Sequence, residues 1–284
     1  MSMKIKNIVL FITMLMCVLS CERYRKQDVL ILYPSWAEGI AITHLADVML
    51  QEKGYTTLLK RIEPGPIFAS LSRGDADIYM DAWLPYTHRD YWDRFGHRMD
   101  TLGTIFDDGI TGLVVPSYVT INSIEELNEH RDQFGGNIYG IASGAGIHTN
   151  TERAIVEYDL DYQQISSSET SMLAALRKAA SNEEWVVVTG WKPHFMWSMY
   201  DLKPLVDPKG VYPIDRITIV SRKGFSEDQP EVASFFNRFK LTESLLNELI
   251  DDVESDRDPY VGARLFYQKH KAVLDNQCWA VDEM

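Results

Sequence analysis

Asp28-Val29-Leu30-Ile31-Leu32-Tyr33, followed by Pro34-Ser35-Trp36-Ala37-Glu38-Gly39-Ile40, is the stretch that decides the fold. A short apolar run of strand length breaks at Pro34-Ser35. An apolar-periodic stretch then runs from Ile40 to Lys53 and is closed by Gly54, the residue that most readily stops a helix. The spacing predicts strand, loop, helix. Working outward, Tyr55 to Ile62 reads as a strand, Pro66 to Ser72 as a helix ending at Arg73-Gly74, and Ile78 to Trp83 as a third strand. Strands alternating with helices predict an α/β architecture with a mostly parallel sheet and helices on its faces.

The same logic recurs downstream. Gly109 to Pro116 reads as a strand, and Ser123 caps a helix beginning Ile124-Glu125-Glu126-Leu127. Strands are predicted at Ile138 to Ile141 and Trp185 to Thr189, with helices at Asn150 to Tyr158 and Ser171 to Ala180 between them. Arg216 to Ser221 is a late strand, and Glu231 to Leu249 and Pro259 to Leu274 are closing helices. The two α/β units join near Asp107 to Gly112 and again between Pro204 and Arg216, where prolines and glycines cluster. One unit is therefore inserted in the other. Two crossings make a hinge, and ligands favour the cleft between such units. The expected division is 28–110 plus 213–284 for lobe 1 and 111–212 for lobe 2.

The chain has 284 residues and a formal charge of −13. That balance excludes nucleic acid as a partner, because a phosphate backbone needs a basic face. It weakly favours cationic or zwitterionic ligands. Lys4 and Lys6 precede an apolar run from Ile8 to Leu19, too short to span a bilayer but of export-signal length. Val18-Leu19-Ser20-Cys21 resembles a lipobox, so residues 1–20 are expected to be removed, Cys21 lipidated, and 21–27 left as a tether. The protein is then exported and anchored by lipid to the cell envelope, in the periplasm or on the outer face of the cytoplasmic membrane. Of the three cysteines only Cys278 lies in the folded part, which leaves no pair for an intramolecular disulfide.

Tryptophans stand where three predicted strands run out: Trp36, Trp83 in Asp81-Ala82-Trp83-Leu84-Pro85, and Trp191 in Gly190-Trp191-Lys192-Pro193-His194. Strand ends are where α/β proteins place ligands. Indole is the strongest cation–π partner, and aromatic cages recognise quaternary ammonium groups, which have no N–H to donate. Trp36, Trp83 and Trp191 are thus the candidate cation cage. The Gly39 and Ile40 amides at a helix start, together with His194, are the candidate carboxylate site. Glu38 either counters a cation or caps the helix. Asp81 shares a strand face with Trp83. His88 and Trp92 read as packing or surface residues. Gly140-Ile141-Ala142-Ser143-Gly144-Ala145-Gly146 lacks the Lys-Ser/Thr ending of a P-loop and reads as a close backbone approach to a small ligand.

Catalytic signatures are missing: there is no G-x-S-x-G elbow, no H-E-x-x-H and no plausible cysteine nucleophile. Ser166-Ser167-Ser168 reads as a capping loop. No zinc-spaced cluster occurs, and neither a cofactor, a metal nor an enzymatic activity is expected.

Ser35 to Ala41, Gly74-Asp75-Ala76-Asp77, Asp81 to His88, Thr189 to His194, and Asp201-Leu202-Lys203 through Asp207-Pro208-Lys209-Gly210 together resemble the glycine betaine/choline/proline-betaine substrate-binding proteins of ABC importers. The resemblance runs from about Asp28 to Phe239. It implies a two-lobed periplasmic-binding-protein fold of type II, with tryptophans of both lobes around a trimethylammonium head at Trp83 and Trp191. It also implies a monomer that delivers its ligand to an ABC permease and its ATPase. Two departures leave the ligand open among betaine, proline betaine, carnitine and choline. Ala142-Ser143-Gly144 stands where the family usually has Glu-Pro-Gly, and Phe195-Met196-Trp197 where it often has Trp-Met-Phe. Competing readings are a choline or carnitine receptor for nutrition, a sensory lipoprotein of the same fold, and an exported enzyme acting on a choline-containing substrate.

Overall fold

A computed structural model describes residues 29–279. The expected export signal, lipidation site at Cys21 and tether fall outside the described residues. The first strands and helices are β1 (Val29–Tyr33), α1 (Ala37–Glu52), β2 (Thr57–Arg61), α2 (Pro64–Arg73), β3 (Ile78–Leu84), α3 (Arg89–Phe95) and β4 (Met99–Pro116). Next come α4 (Arg131–Phe134), β5 (Asn137–Gly140), α5 (Gly146–Glu157), β6 (Gln163–Ser166), α6 (Glu169–Ser181), β7 (Val187–Lys192), α7 (Met196–Met199) and β8 (Leu202–Pro204). The chain closes with β9 (Asp215–Arg222), α8 (Phe225–Asp228), α9 (Pro230–Arg238), α10 (Glu243–Ser255) and α11 (Pro259–Trp279).

The strands follow the order β2-β1-β3-β9-β4-β7-β5-β6, with β8 paired to the end of β4. Within the trio β2-β1-β3 and the trio β7-β5-β6 the pairing is parallel, as alternation of strand and helix demands. β9 and β4 run antiparallel to their neighbours, so the two lobes are mixed sheets rather than parallel throughout. Strand β4 belongs to both lobes. Its pairing with β9 ends at Gly109 opposite Asp215, and its pairing with β7 begins at Ile110 opposite Lys192.

Three differences from the sequence reading have local causes. The strand expected from Gly109 is the second half of an 18-residue strand. Its first half, Met99 to Asp108, carries Gly, Asp and Thr in place of the apolar signal, and its pairing with β9 is broken by register shifts. The helix expected at Glu231 to Leu249 is two helices, because Leu241 donates its amide to the carbonyl of Ile105 and Thr242 caps a new start by accepting from Leu245. At Ser123 the capping box with Glu126 forms, but it opens a 3₁₀ turn rather than an α-helix.

Helix α1 is buried nearly all round: Ala41, Ile42, Leu45, Ala46, Met49 and Leu50 are shut away between the sheet and the closing helices α10 and α11. That enclosure fixes the direction of its N-terminus, which points into the space between the lobes.

Candidate functional site

The sheet delivers the tryptophans. Trp83 sits next to the end of β3, and Trp191 next to the end of β7 in the other lobe; both strands leave the sheet through cis prolines, Pro85 and Pro193. Trp36 holds the N-cap position of α1. All three line one small cavity between the lobes, with Glu38, Thr87, His88, Thr111, Ile141, Ala145, Gly146 and Ile147 completing its walls. The indoles are 7, 3 and 3% exposed for Trp36, Trp83 and Trp191, so each presents a face to an enclosed space rather than to solvent. Ile141 and the end of the glycine-rich turn form part of the wall. The turn read in the sequence as approaching a ligand thus borders this cavity.

Each indole is held. Trp83 Nε1–H donates to Asp81 Oδ1 at 2.8 Å, the pairing that strand alternation places on one face. Trp191 Nε1–H donates across the cleft to Glu38 Oε2, also at 2.8 Å. Trp36 stacks on the imidazole of His88 with ring centroids 6.0 Å apart and planes 16° from parallel. Trp197, adjacent in sequence to the loop, donates from its Nε1 to the carbonyl of Trp191 at 2.7 Å and so anchors that residue from behind.

The lobes meet at several further points. Ala37 N–H donates to Glu169 Oε2 at 3.2 Å, so a carboxylate from the second lobe caps the α1 N-terminus. Tyr91 donates its hydroxyl proton to the carbonyl of Gly144 at 2.9 Å. Ser198 reaches Asp251 at 3.3 Å. The cleft is closed over the cavity.

His88 is the residue that the sequence reading set aside as packing. It is 1% exposed and lines the cavity. Its Nδ1 accepts the backbone N–H of Trp83 at 2.9 Å, which puts the ring proton on Nε2. That Nε2–H is buried and meets no partner within the protein, and the hydroxyls of Thr87 and Thr111 in the same wall are likewise unmatched. Burial drives the imidazole pKa down to about 3, so the ring is a neutral donor. Beside it, the first amides of α5, at Gly146 and Ile147, have no intrahelical acceptor and carry the positive end of the helix dipole. A buried, unmatched N–H next to a helix N-terminus is a receptor for an anionic or hydrogen-bond-accepting group.

The residues expected for a carboxylate, Gly39, Ile40 and His194, have other neighbours in this structure. Ile40 donates its amide to the carbonyl of Trp36 at 2.9 Å, an ordinary helical bond. Gly39 serves close packing, since a Cβ there would lie 2.7 Å from Asp81 Oδ2. His194 has both ring nitrogens engaged: Nδ1 accepts the Met196 amide at 2.8 Å, and Nε2–H faces Glu169 Oε1 at 3.0 Å. Neither Gly39, Ile40 nor His194 lines the tryptophan cavity. Glu169 engages His194 and the Ala37 amide, and Ile40 spends its amide within the helix.

Three acids lie behind the cage. Burial, with the Glu169 charge adding to it, lifts Glu38 to about 7. Burial lifts Glu169 to about 8 against the pull of the Ala37 amide, and lifts Asp81 well above the carboxylate range, with Glu38 contributing. His194 is pushed down to about 4 by burial and so supplies no positive charge at neutral pH.

A family model described as the substrate binding domain of ABC-type glycine betaine transport systems matches residues 27–269. The chain belongs to that family. Its solved relatives include lactococcal OpuAC in a closed form with glycine betaine, 30% identical, TM-score 0.84, covering 89% of this chain and 99% of that one. ProX from Borrelia burgdorferi is also 30% identical, with TM-score 0.85 and coverage of 89 and 97%. Among curated relatives, the glycine betaine/carnitine transport binding protein GbuC of Listeria monocytogenes is 38% identical over 137 residues, 47% of this chain and 46% of that protein. The alignment thus spans about half the length of that relative. The solved members establish the two-lobed fold as that of ABC substrate-binding proteins. Family members are receptors for transport rather than enzymes. No helix among the described residues is long and apolar enough to cross a membrane.

Proposed function

We propose that this protein is the receptor of an ABC importer that captures a quaternary-ammonium solute, glycine betaine or a close relative, between its lobes. The observation that carries this reading is the meeting of Trp36, Trp83 and Trp191, from both lobes, on one enclosed cavity. Their faces suit a trimethylammonium head. The opposite end of such a ligand would meet His88 Nε2–H and the α5 amides, which suits a carboxylate. In this reading His88, Gly146 and Ile147 replace Gly39, Ile40 and His194 as the carboxylate-binding set. Choline and carnitine, which share the head group, are the nearest alternatives.

The rest follows from the export signal and the family. The lobes are taken as 28–110 with 213–284, and 111–212, hinged where β4 changes partners. The protein is exported, lipidated at Cys21, held at the cell envelope, and acts as a monomer. It passes its solute to a membrane permease driven by an ATPase, and needs no cofactor.

The test is a tryptophan-fluorescence titration of the purified protein with glycine betaine, proline betaine, carnitine, choline and proline, run beside Trp83→Ala and Trp191→Ala. Saturable binding of a trimethylammonium ligand, lost in both variants, is the expected result. A response to proline alone, or to none of the five, would refute the ligand class.

A further inference from the structure

Glu38 is the one carboxylate that lines the tryptophan cavity, and it is 1% exposed. One oxygen, Oε2, is occupied by Trp191 Nε1–H. No lysine or arginine lines the cavity. Every charged or titratable group that bears on Glu38 is acidic or neutral. From β3 it meets Asp81, itself buried and tied to Trp83, and the phenol of Tyr79. From α6 it meets Glu169, and from the loop after β7 it meets His194, which acts on it only if charged. A buried carboxylate without a cation is costly to ionise, so the site holds a proton that it has a reason to give up.

We propose that Glu38 is the counter-ion of the onium group, taking its negative charge when a cation enters the tryptophan cavity and releasing its proton to solvent. This rests on the reading of the cavity as a quaternary-ammonium site and adds to it a source of charge selectivity. The three indoles offer a permanent quadrupole, which attracts a cation at every pH. Glu38 offers a full charge only where its proton can leave. The two contributions are therefore separable by pH.

The sign follows from proton linkage. The unliganded closed site holds Glu38 near 7, above its ordinary 4.5, chiefly through burial. A cation alongside lowers that value, so the complex binds fewer protons than the free protein. Affinity then rises with pH up to about 7 and levels off above it, by at most about tenfold per pH unit. His88 and His194 titrate below this window, at about 3 and about 4. Glu169, lifted to about 8, titrates inside it but does not line the cavity. Glu38→Gln leaves Glu169 in place, so the difference between the two proteins isolates Glu38.

The experiment is calorimetric titration of choline into the purified protein at pH 5.5, 7 and 8.5, for the wild type and for Glu38→Gln. Glutamine keeps an oxygen to accept from Trp191 and removes the charge. In the wild type, choline is expected to bind roughly five- to tenfold more tightly at pH 8.5 than at 5.5. In Glu38→Gln the rise with pH should be largely lost, and the affinity at pH 8.5 lower than that of the wild type. Repeating the pH 7 titration in two buffers of different ionisation heat reads proton release directly: the wild type should release a fraction of a proton and the variant much less. A flat wild-type profile, an unchanged profile in Glu38→Gln, or equal affinities at pH 8.5 would overturn the proposal while leaving the tryptophan cage intact. Absence of choline and betaine binding at every pH would instead remove the cage reading on which it rests.

Discussion

A methyl group on Gly146 would stand 2.0 Å from the backbone oxygen of Thr87 in the opposite lobe. No side chain can be shifted to relieve that overlap, because the obstacle is main chain. Gly146 is therefore a point of close main-chain approach between the lobes, and it is also the first residue of α5. Substituting Gly146→Ala is expected to hold the cleft ajar without disturbing either lobe. Affinity for every ligand should fall by about tenfold or more, about 1.4 kcal/mol, with the melting temperature of the unliganded protein little changed. Small-angle scattering with saturating ligand would read a larger radius than in the wild type.

The two histidines should part company on ligand chemistry. His88 presents an unmatched N–H to the cavity, whereas His194 spends both nitrogens on Met196 and Glu169. Losing a hydrogen bond to a charged group costs about 1.5–3 kcal/mol, and to a neutral one about 0.5–1.5 kcal/mol. His88→Ala is therefore expected to weaken glycine betaine more than choline. His194→Ala should weaken both by the same factor, since it acts through the Glu169 cap on α1. Paired titrations of the two ligands against both variants decide it. A betaine-specific loss in His194→Ala would restore the residue to the carboxylate site.

The buried acids should cost the unliganded protein stability as pH rises from about 5 to 8, an effect offset below about 6.5 by His88 and His194, whose values burial pushes down to about 3 and about 4. Asp81 and Glu169 have folded-state values lifted by burial, Glu169 to about 8, while the unfolded chain releases these protons near 4. Between those values the folded state binds more protons than the unfolded one, so each pH unit subtracts stability. Asp81→Asn keeps an oxygen for Trp83 Nε1–H and removes one buried acid. Thermal melts at pH 5 and 8 should show a smaller drop for Asp81→Asn than for the wild type.

Much of this was legible in the residues. Runs such as Val29 to Tyr33 and Val186 to Thr189 declare buried strands, and a tryptophan at each strand exit marked the cavity wall. What stayed hidden was set by tertiary contact. Nothing local reveals that Glu169, 132 residues from Ala37, would occupy the α1 N-terminus and use up His194. Nor does the sequence around His88 betray that Trp83 would claim one ring nitrogen and leave the other buried without a protein partner. The first half of β4 was missed because Asp100, Gly103, Asp107 and Asp108 dilute its apolar signal. Its pairing with β9 comes from contact with a strand more than a hundred residues away.

Strand β4 also joins mechanics to recognition. Gly109 ends the pairing with β9, and a Cβ there would come within 2.9 Å of the Trp83 ring. The residue at which β4 passes from one partner strand to the other thus lies against an indole that walls the cavity. A swing of the lobes cannot leave that ring's surroundings unchanged, so the emission of Trp83 is a built-in gauge of how far the jaws stand apart, occupied or not.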